Sequence, residues 1–275
     1  MRSARSLLVS GVSIVVTGIV FLIPFAFIVL QAVKNGTESR DLSFAWPTQF
    51  PIMDNIRQVF EARDYMLVIA FINSTVLTVA SVTLLVILAA MVAYVLQRRA
   101  SRWNTVVNLC VLMGLIIPPA VVPTVWVLQK VGLFKTMSGM ILIEIAFGLA
   151  FCVLLFRAFI GSIPQDLDEA AMIDGAGPTR LFFRVIFPLL RPVIVTVVVV
   201  QSVAVFNDFA NPLYFFPGDA NATVQLTLYN FRSQFTTQYN LLFMNILLIT
   251  IPPLIAYMIF QRQIVAGMTA GAVQG

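Results

Sequence analysis

Between Asp64 and Arg98 the chain runs without one charged side chain. About 20 apolar residues suffice to cross the ~30 Å hydrocarbon core of a bilayer. Similar runs recur from Leu7 to Leu30, between Arg102 and Lys130, and between Arg232 and Arg262, centred on Tyr239 to Gln261, and a further apolar run from about Thr136 to Phe156 carries one charge, Glu144. Of the 275 residues, 60% are hydrophobic and 11% charged, where ordinary soluble domains carry about 25% charge. One soluble core cannot hide that much apolar surface. A soluble globular protein, a disordered chain and a disulfide-stapled scaffold are all excluded. The chain reads as an all-α polytopic membrane protein with six transmembrane helices.

The spans fall at about 7–33, 65–97, 103–129, 136–160, 192–216 and 239–261, within a single domain covering 1–275. Arg2 and Arg5 precede the first run and resemble a signal peptide. The run is too long for one and lacks a small-residue cleavage site, so an uncleaved span is expected. The fifth run has only 16 uncharged residues, 192 to 207, which as a helix reach about 24 Å. The helix is therefore expected to continue past Asn207 and Asp208 to Phe216, with Asp208 at the edge of the hydrocarbon or facing a polar cavity. Pro118-Pro119 and Pro252-Pro253 should kink or break their helices, either turning carbonyls to a cavity or to neighbouring helices or only improving the packing of the bundle.

Six spans place both termini on one side. That side holds ten basic residues, the other seven, and Arg98, Arg99 and Arg102 crowd one short loop. The positive-inside rule puts both termini in the cytoplasm. Segments 34–64 and 217–238 are then external, and the loop 161–191 and the tail 262–275 cytoplasmic. The net charge of +5 fits loops facing anionic membrane lipid rather than nucleic acid.

The absence of histidine excludes Ser-His-Asp hydrolysis and histidine proton relays. No metal-ligand spacing occurs. Cys110 and Cys152 lie in apolar runs and read as packing residues. Glu144 in the fourth span and Asp208 are intramembrane ionisable candidates, with a hydrated edge position (Asp208) or an interhelical hydrogen bond (Glu144) as the plainer alternatives. Tyr214, Phe215 and Phe216 read as an interfacial aromatic belt rather than a sugar-stacking platform.

The loop 161–191 carries the strongest signal. Pro164 suits a first helical turn, and Asp166, Asp168 and Glu169 follow where a helix N-terminus favours negative charge. Leu167, Ala170, Ala171 and Asp174 share a narrow face. Gly175, Gly177 and Pro178 stop the helix, and Thr179 is the expected N-cap of a second one. A small-residue face beside a charged end suits close approach by another protein.

Glu169-Ala170-Ala171, then Asp174-Gly175-Ala176, then Phe182, Ile186 and Pro188, resembles the EAA loop of ABC-importer permease subunits; Phe187 stands where that pattern has leucine. Asn73-Ser74 and Ala93-Tyr94 at the two ends of the second span resemble carbohydrate-uptake permeases. So do Phe206-Asn207-Asp208-Phe209 with Pro212, and the ending from Gln261 to Gly275 resembles the second permease subunit of maltose-type importers. The resemblance implies the six-span fold of type I ABC importers. It implies that Asp168, Glu169, Ala170, Ala171, Asp174, Gly175, Ala176, Arg180, Phe182, Ile186 and Pro188 couple to an ATPase through a coupling helix, and that Gly267, Thr269, Gly271 and Gly275 form an ATPase-contacting tail. Asn73, Glu144, Asn207, Asp208 and Asn211 become candidates for the translocation pathway.

Implied partners are a second permease subunit, two cytoplasmic ATPase subunits and an extracytoplasmic sugar-binding protein. No G-x-x-x-x-G-K-[ST] string occurs, so ATP and Mg would be bound by the partner ATPases and none by this chain. The chain is not expected to be an enzyme. Two alternatives stay open: a same-fold permease for an amino acid, peptide or other non-sugar solute, and a secondary transporter. The tail argues against the first. The second is disfavoured because only Glu144 lies at mid-membrane and no duplicated half is visible.

Overall fold

The computed structural model describes residues 4–231 and 237–272. Its regular elements are helices: α1 (Ala4–Ala32), α2 (Ile52–Glu61), α3 (Met66–Arg98), α4 (Trp103–Ile116), α5 (Val121–Lys130) and α6 (Met137–Gly161). They continue with α7 (Asp166–Ile173), a bent segment α8 (Pro178–Leu189), α9 (Arg191–Phe206), α10 (Ala210–Phe215) and α11 (Tyr239–Ala272). Among the described residues, Gly11–Ala32, α3, α6 and Tyr239–Ile259 are each long and apolar enough to cross a membrane. The count reaches six when each of two bent helix pairs is taken as one span.

The first bend is the break expected at Pro118-Pro119, whereas the fifth helix departs from the expected run to Phe216. At Pro118-Pro119 the chain breaks, and α4 and α5 are bent by 119°. Neither piece, at about 21 Å and about 15 Å, spans the hydrocarbon alone. The reason is local: Pro118 and Pro119 lack backbone donors, and a proline holds the residue before it out of the α region. The fifth helix, α9, ends at Phe206 instead of running on, and a bend of 77° separates it from α8. Asp208 is the cause at the far end. Its Oδ1 accepts from the backbone N–H of Ala210 (2.9 Å) and Asn211 (3.3 Å), starting a new helix, α10. Short polar side chains that bond the backbone locally compete with a continuing helix in this way.

Three smaller expectations also change. Phe215 and Phe216 are buried, so only Tyr214 is exposed as a belt residue would be. Cys152 is buried as a packing residue, but Cys110 is exposed on α4. Pro252-Pro253 do not break their helix, because α11 runs on through them to Ala272. Glycines at 267 and 271 each weaken a helix by only about 1 kcal/mol.

The contacts divide the chain into two compact units. In the unit of Met1–Val68 and Gln225–Pro252, polar side chains close the end of α1. Asn55 on α2 donates to the carbonyls of Ala32 (2.8 Å) and Lys34 (2.9 Å), and its own Oδ1 accepts from Asn240 (3.0 Å). These bonds satisfy carbonyls that a helix C-terminus leaves open. The Lys34 side chain is 1% exposed and donates to Ser43 O at 2.6 Å.

The other unit, Ile69–Val224 with Pro253–Gly275, holds the main apolar core. Leu77, Leu85, Ala89, Ala90 and Ala93 of α3 pack with Phe156 and Ile160 of α6 and with Ile186, Leu190 and Val197. Small side chains let membrane helices approach closely. At Gly148 on α6 an added Cβ would sit 2.6 Å from Leu85 Cδ2. Of the long helices α1, α3, α6 and α11, only α3 contains neither proline nor glycine.

Candidate functional site

The loop after α6 folds as helix, turn, helix. Helix α7 opens at Asp166, and the acids Asp166, Asp168 and Glu169 fill its first turn. It closes in a Schellman turn: Ala176 N–H donates to Ala171 O (2.9 Å) and Gly175 N–H to Met172 O (3.0 Å). Gly175 takes φ +79°, and nothing lies within 4 Å of where its Cβ would stand. A positive φ of this kind suits glycine and costs an L residue free energy. The second helix begins with Pro178 at its first turn and Gly177 as N-cap, not with Thr179 as cap. Residues Phe182–Ile186 then wind as a π-helix.

One side chain of α7 is buried, and it is Asp168, 5% exposed. Asp168, one of the coupling residues that the resemblance implies, points inward in the fold. Tyr94 O–H donates to its Oδ1 at 2.6 Å, and Arg98 Nε stands 3.3 Å from its Oδ2. Arg98 Nη2 also donates to Ile163 O at 2.7 Å. The N-terminal side of α7 is thereby clasped to the end of α3. Hydrogen bonds to a charged group contribute about 1.5–3 kcal/mol. Beside the clasp, Arg157 of α6 donates to Gln97 of α3 (3.1 Å) and to Asn108 of α4 (2.6 Å), joining three helices.

Phe182 and Ile186 are likewise buried rather than presented outward. Phe182 packs at 5.5 Å, centroid to centroid, on the ring of Tyr94, and at 4.9 and 5.7 Å on Phe183 and Phe187. Glu169, Ala170, Asp174, Arg180 and Pro188 are exposed, and Ala171 and Ala176 half-buried. Three apolar neighbours that the motif did not single out are exposed as well: Leu167, Met172 and Ile173, the last at 86%. Their signal in the sequence is large apolar side chains on a loop otherwise rich in charge. A hollow of about 350 Å³ lies beside α7, between Gln165, Glu169 and Met172 on one wall and Tyr94 and Arg99 on another.

The pathway candidates do not all meet. Glu144, Asp208 and Asn211 gather into one polar cluster between α6 and the break after α9. Glu144 is buried, and its Oε1 has no hydrogen-bond partner among the described residues. Asn207 is exposed and bonds back to Val203 O at 2.9 Å. Asn73 lies apart, its amide donating to the carbonyls of Ala220 and Ala222, each at 3.0 Å. Of the tail, Gly267, Thr269 and Gly271 lie within α11, and Gly275 lies outside the described residues.

Among the described residues, four helices and two bent helix pairs long and apolar enough to cross a membrane, with a short acid-led helix clasped to the end of α3, are the features of an integral-membrane protein. Residues 85–270 match the family described as the binding-protein-dependent transport system inner membrane component, and the chain belongs to that family. It is 32% identical to the multiple sugar-binding transport system permease protein MsmG of Streptococcus mutans, over 96% of this chain and 95% of that one. It is 30% identical to the melibiose/raffinose/stachyose import permease protein MelC of Bacillus subtilis, over the full length of both. Its fold is similar to a chain in the crystal structure of a bacterial ABC transporter involved in the import of the acidic polysaccharide alginate. That likeness has a TM-score of 0.80 at 20% identity and covers 95% of this chain and 98% of that chain.

Proposed function

We propose that this chain is a permease subunit of an importer for a sugar or oligosaccharide. It pairs with a second permease subunit, two cytoplasmic ATPase subunits and an extracytoplasmic sugar-binding protein. ATP and Mg belong to the ATPases, and this chain catalyses no reaction itself. The observation that carries the reading is α7. One inward acid anchors it to α3, while Glu169, Ala170, Met172, Ile173 and Asp174 stay exposed. Exposed apolar side chains at a polar rim suit a protein partner, so α7 is the coupling helix and the hollow beside it receives a partner side chain. The carbohydrate class rests on the relatives, MsmG and MelC, whose names specify sugars. Uptake of labelled oligosaccharides into proteoliposomes of the complete assembly tests it. ATP-dependent uptake of a non-sugar solute alone would overturn the substrate class.

The pathway in this reading passes two breaks, the first at Pro118-Pro119 and the second after α9 at Asn207 to Phe209. Backbone outside a helix at membrane depth persists only where protein or water covers it, so Ile117 to Ala120 and Asn207 to Phe209 face the partner permease or the aqueous route. The cluster of Glu144, Asp208 and Asn211 sits beside the second break.

Both termini and the Arg98–Arg102 loop are cytoplasmic, and segment 34–64 external. Thr37→Cys and Ser101→Cys, each in a background lacking Cys110 and Cys152, should label differently with an impermeant thiol reagent in intact cells. Position 37 should react and position 101 should not; equal reaction of both would sink this topology.

The C-terminal part of α11, with Gly267, Thr269 and Gly271, and the residues after it to Gly275, contact the ATPase subunits. Small apolar residues without charge suit close apposition to another backbone. Deleting Gly267 to Gly275 should leave insertion and permease pairing intact and lower sugar-stimulated ATP hydrolysis. Unchanged stimulation would show the segment to be dispensable.

A further inference from the structure

We propose that α3 is a rigid link that carries displacement of α7 to the external loop 217–224. Tyr94, Arg98 and Asp168 are its positioning residues at one end, and Asn73 and Ser74 at the other. The proposal rests on the reading of α7 as the coupling helix.

At the cytoplasmic end, the clasp on Asp168 ties α7 to α3 through two side chains of α3 one helical turn apart. At the opposite end, Asn73 donates to Ala220 O and Ala222 O, and Ser74 Oγ accepts from Val224 N–H at 3.0 Å. The loop gripped there is not a loose strap. Ala222, Thr223 and Val224 are buried, and Asn221 donates to Lys135 O at 3.1 Å. Loop 217–224 follows directly on α10, the short helix beyond the second break. Its displacement therefore acts on the polar cluster of Asp208 and Asn211.

Between its two ends α3 runs as one helix from Met66 to Arg98. From Asn73 to Arg98 that is roughly 38 Å. Kinks in helices arise at proline, at glycine or at inserted groups; α3 has no proline or glycine, and Ser81, whose hydroxyl bonds back to Leu77 O, leaves the helix continuous. Its sides are held by the core through Leu77, Leu85, Ala89, Ala90 and Ala93. Each other long helix carries such a weak point: Pro24 in α1, Gly148 in α6, Pro252 and Pro253 in α11. A displacement applied to one end of α3 thus reaches the other end instead of being absorbed on the way. Coupling between distant sites travels through packed, rigid elements of this kind.

The test uses the assembled importer in proteoliposomes, with Cys110→Ser, Cys152→Ala and Ala220→Cys in this chain. The rate of labelling at position 220 by an impermeant maleimide is measured without nucleotide and with Mg and a non-hydrolysable ATP analogue. In the otherwise unaltered chain the two rates should differ about fivefold or more, the lower end of ordinary allosteric coupling. Asn73→Ala with Ser74→Ala should bring their ratio close to one while the ATPase subunits still copurify. Asn73→Asp keeps the side-chain shape, removes the donor, and should do the same if the double variant inserts poorly. Tyr94→Phe, at the other end, should lower the ratio part of the way.

A ratio that survives the Asn73 variants overturns the link. So does a missing nucleotide response in the unaltered chain with ATPase subunits bound, and in that case the coupling reading of α7 stands. Failure of the ATPase subunits to copurify with the unaltered chain overturns the coupling reading itself.

Discussion

Gly175→Val should abolish most uptake while leaving insertion and abundance unchanged. At φ +79° with open space around the missing Cβ, the penalty is purely conformational. Holding a non-glycine residue in this region costs on the order of 1–3 kcal/mol, and a β-branched side chain stands at the high end. The chain relieves that strain by rotating Gly175 to negative φ, which breaks the bonds from Gly175 to Met172 and from Ala176 to Ala171. The C-terminal end of α7 then opens, and the exposed Ile173 and Asp174 move from their places. A graded series separates this cause from bulk. Asparagine tolerates left-handed backbone, so Gly175→Asn should keep most activity, Gly175→Ala less and Gly175→Val least. Uptake and ATP hydrolysis in proteoliposomes measure the series. A valine variant as active as the asparagine variant would show that the turn is not what transmits the stroke.

Much of this site was legible in the sequence, because its cause is local. An acid-led helix stopped by Gly175 follows from residues 164 to 178 alone, and the structure forms it there. The breaks illustrate the limit. Pro118-Pro119 announces one, but the 119° bend depends on what each half packs against, which composition does not state. At Asn207-Asp208 the count of uncharged residues favoured a longer helix to match the bilayer. The Asp208 carboxylate instead accepts from the first N–H groups of the next helix, so local hydrogen bonds outweighed the length argument.

The orientation of Asp168 and Phe182 was not legible. Both sit within the motif, and a motif specifies residue types at a spacing without saying which face is covered. The groups that cover them, Tyr94 and Arg98 on Asp168 and Tyr94 on Phe182, lie about 70 to 90 positions earlier in the chain, at the end of a helix whose apolar run gives no hint of a partner. Tyr94 and Arg98 at i and i+4 on a last helical turn are the available signal, and they gain meaning only once α7 lies against them.

The largest loss is expected from Asp168→Ala. The Arg98 and Asp168 side chains are each 8% exposed, so the substitution leaves a guanidinium buried without its counter-ion. Breaking one partner of a buried pair costs about 3–5 kcal/mol, far more than the net contribution of the intact pair. Arg98 keeps Ile163 O, and Tyr94 loses the acceptor of its 2.6 Å bond, so the N-terminal end of α7 is released from α3. Tyr94→Phe removes one hydrogen bond to a charged group and should cost about 1.5–3 kcal/mol. The order is then Asp168→Ala worse than Tyr94→Phe, in both thermal stability of the purified assembly and the fraction of ATPase subunits that copurify. Loss of charge balance differs from loss of packing in one testable respect. Arg98→Asp combined with Asp168→Arg puts both charges back in the same place with their roles exchanged. It should recover part of what Asp168→Ala loses, although Ile163 O and Tyr94 O–H no longer meet their designed partners. A reversed pair as damaging as Asp168→Ala, together with a Tyr94→Phe variant indistinguishable from the unaltered chain, would mean that packing of Phe182 on Tyr94, not the ion pair, holds α7 in place.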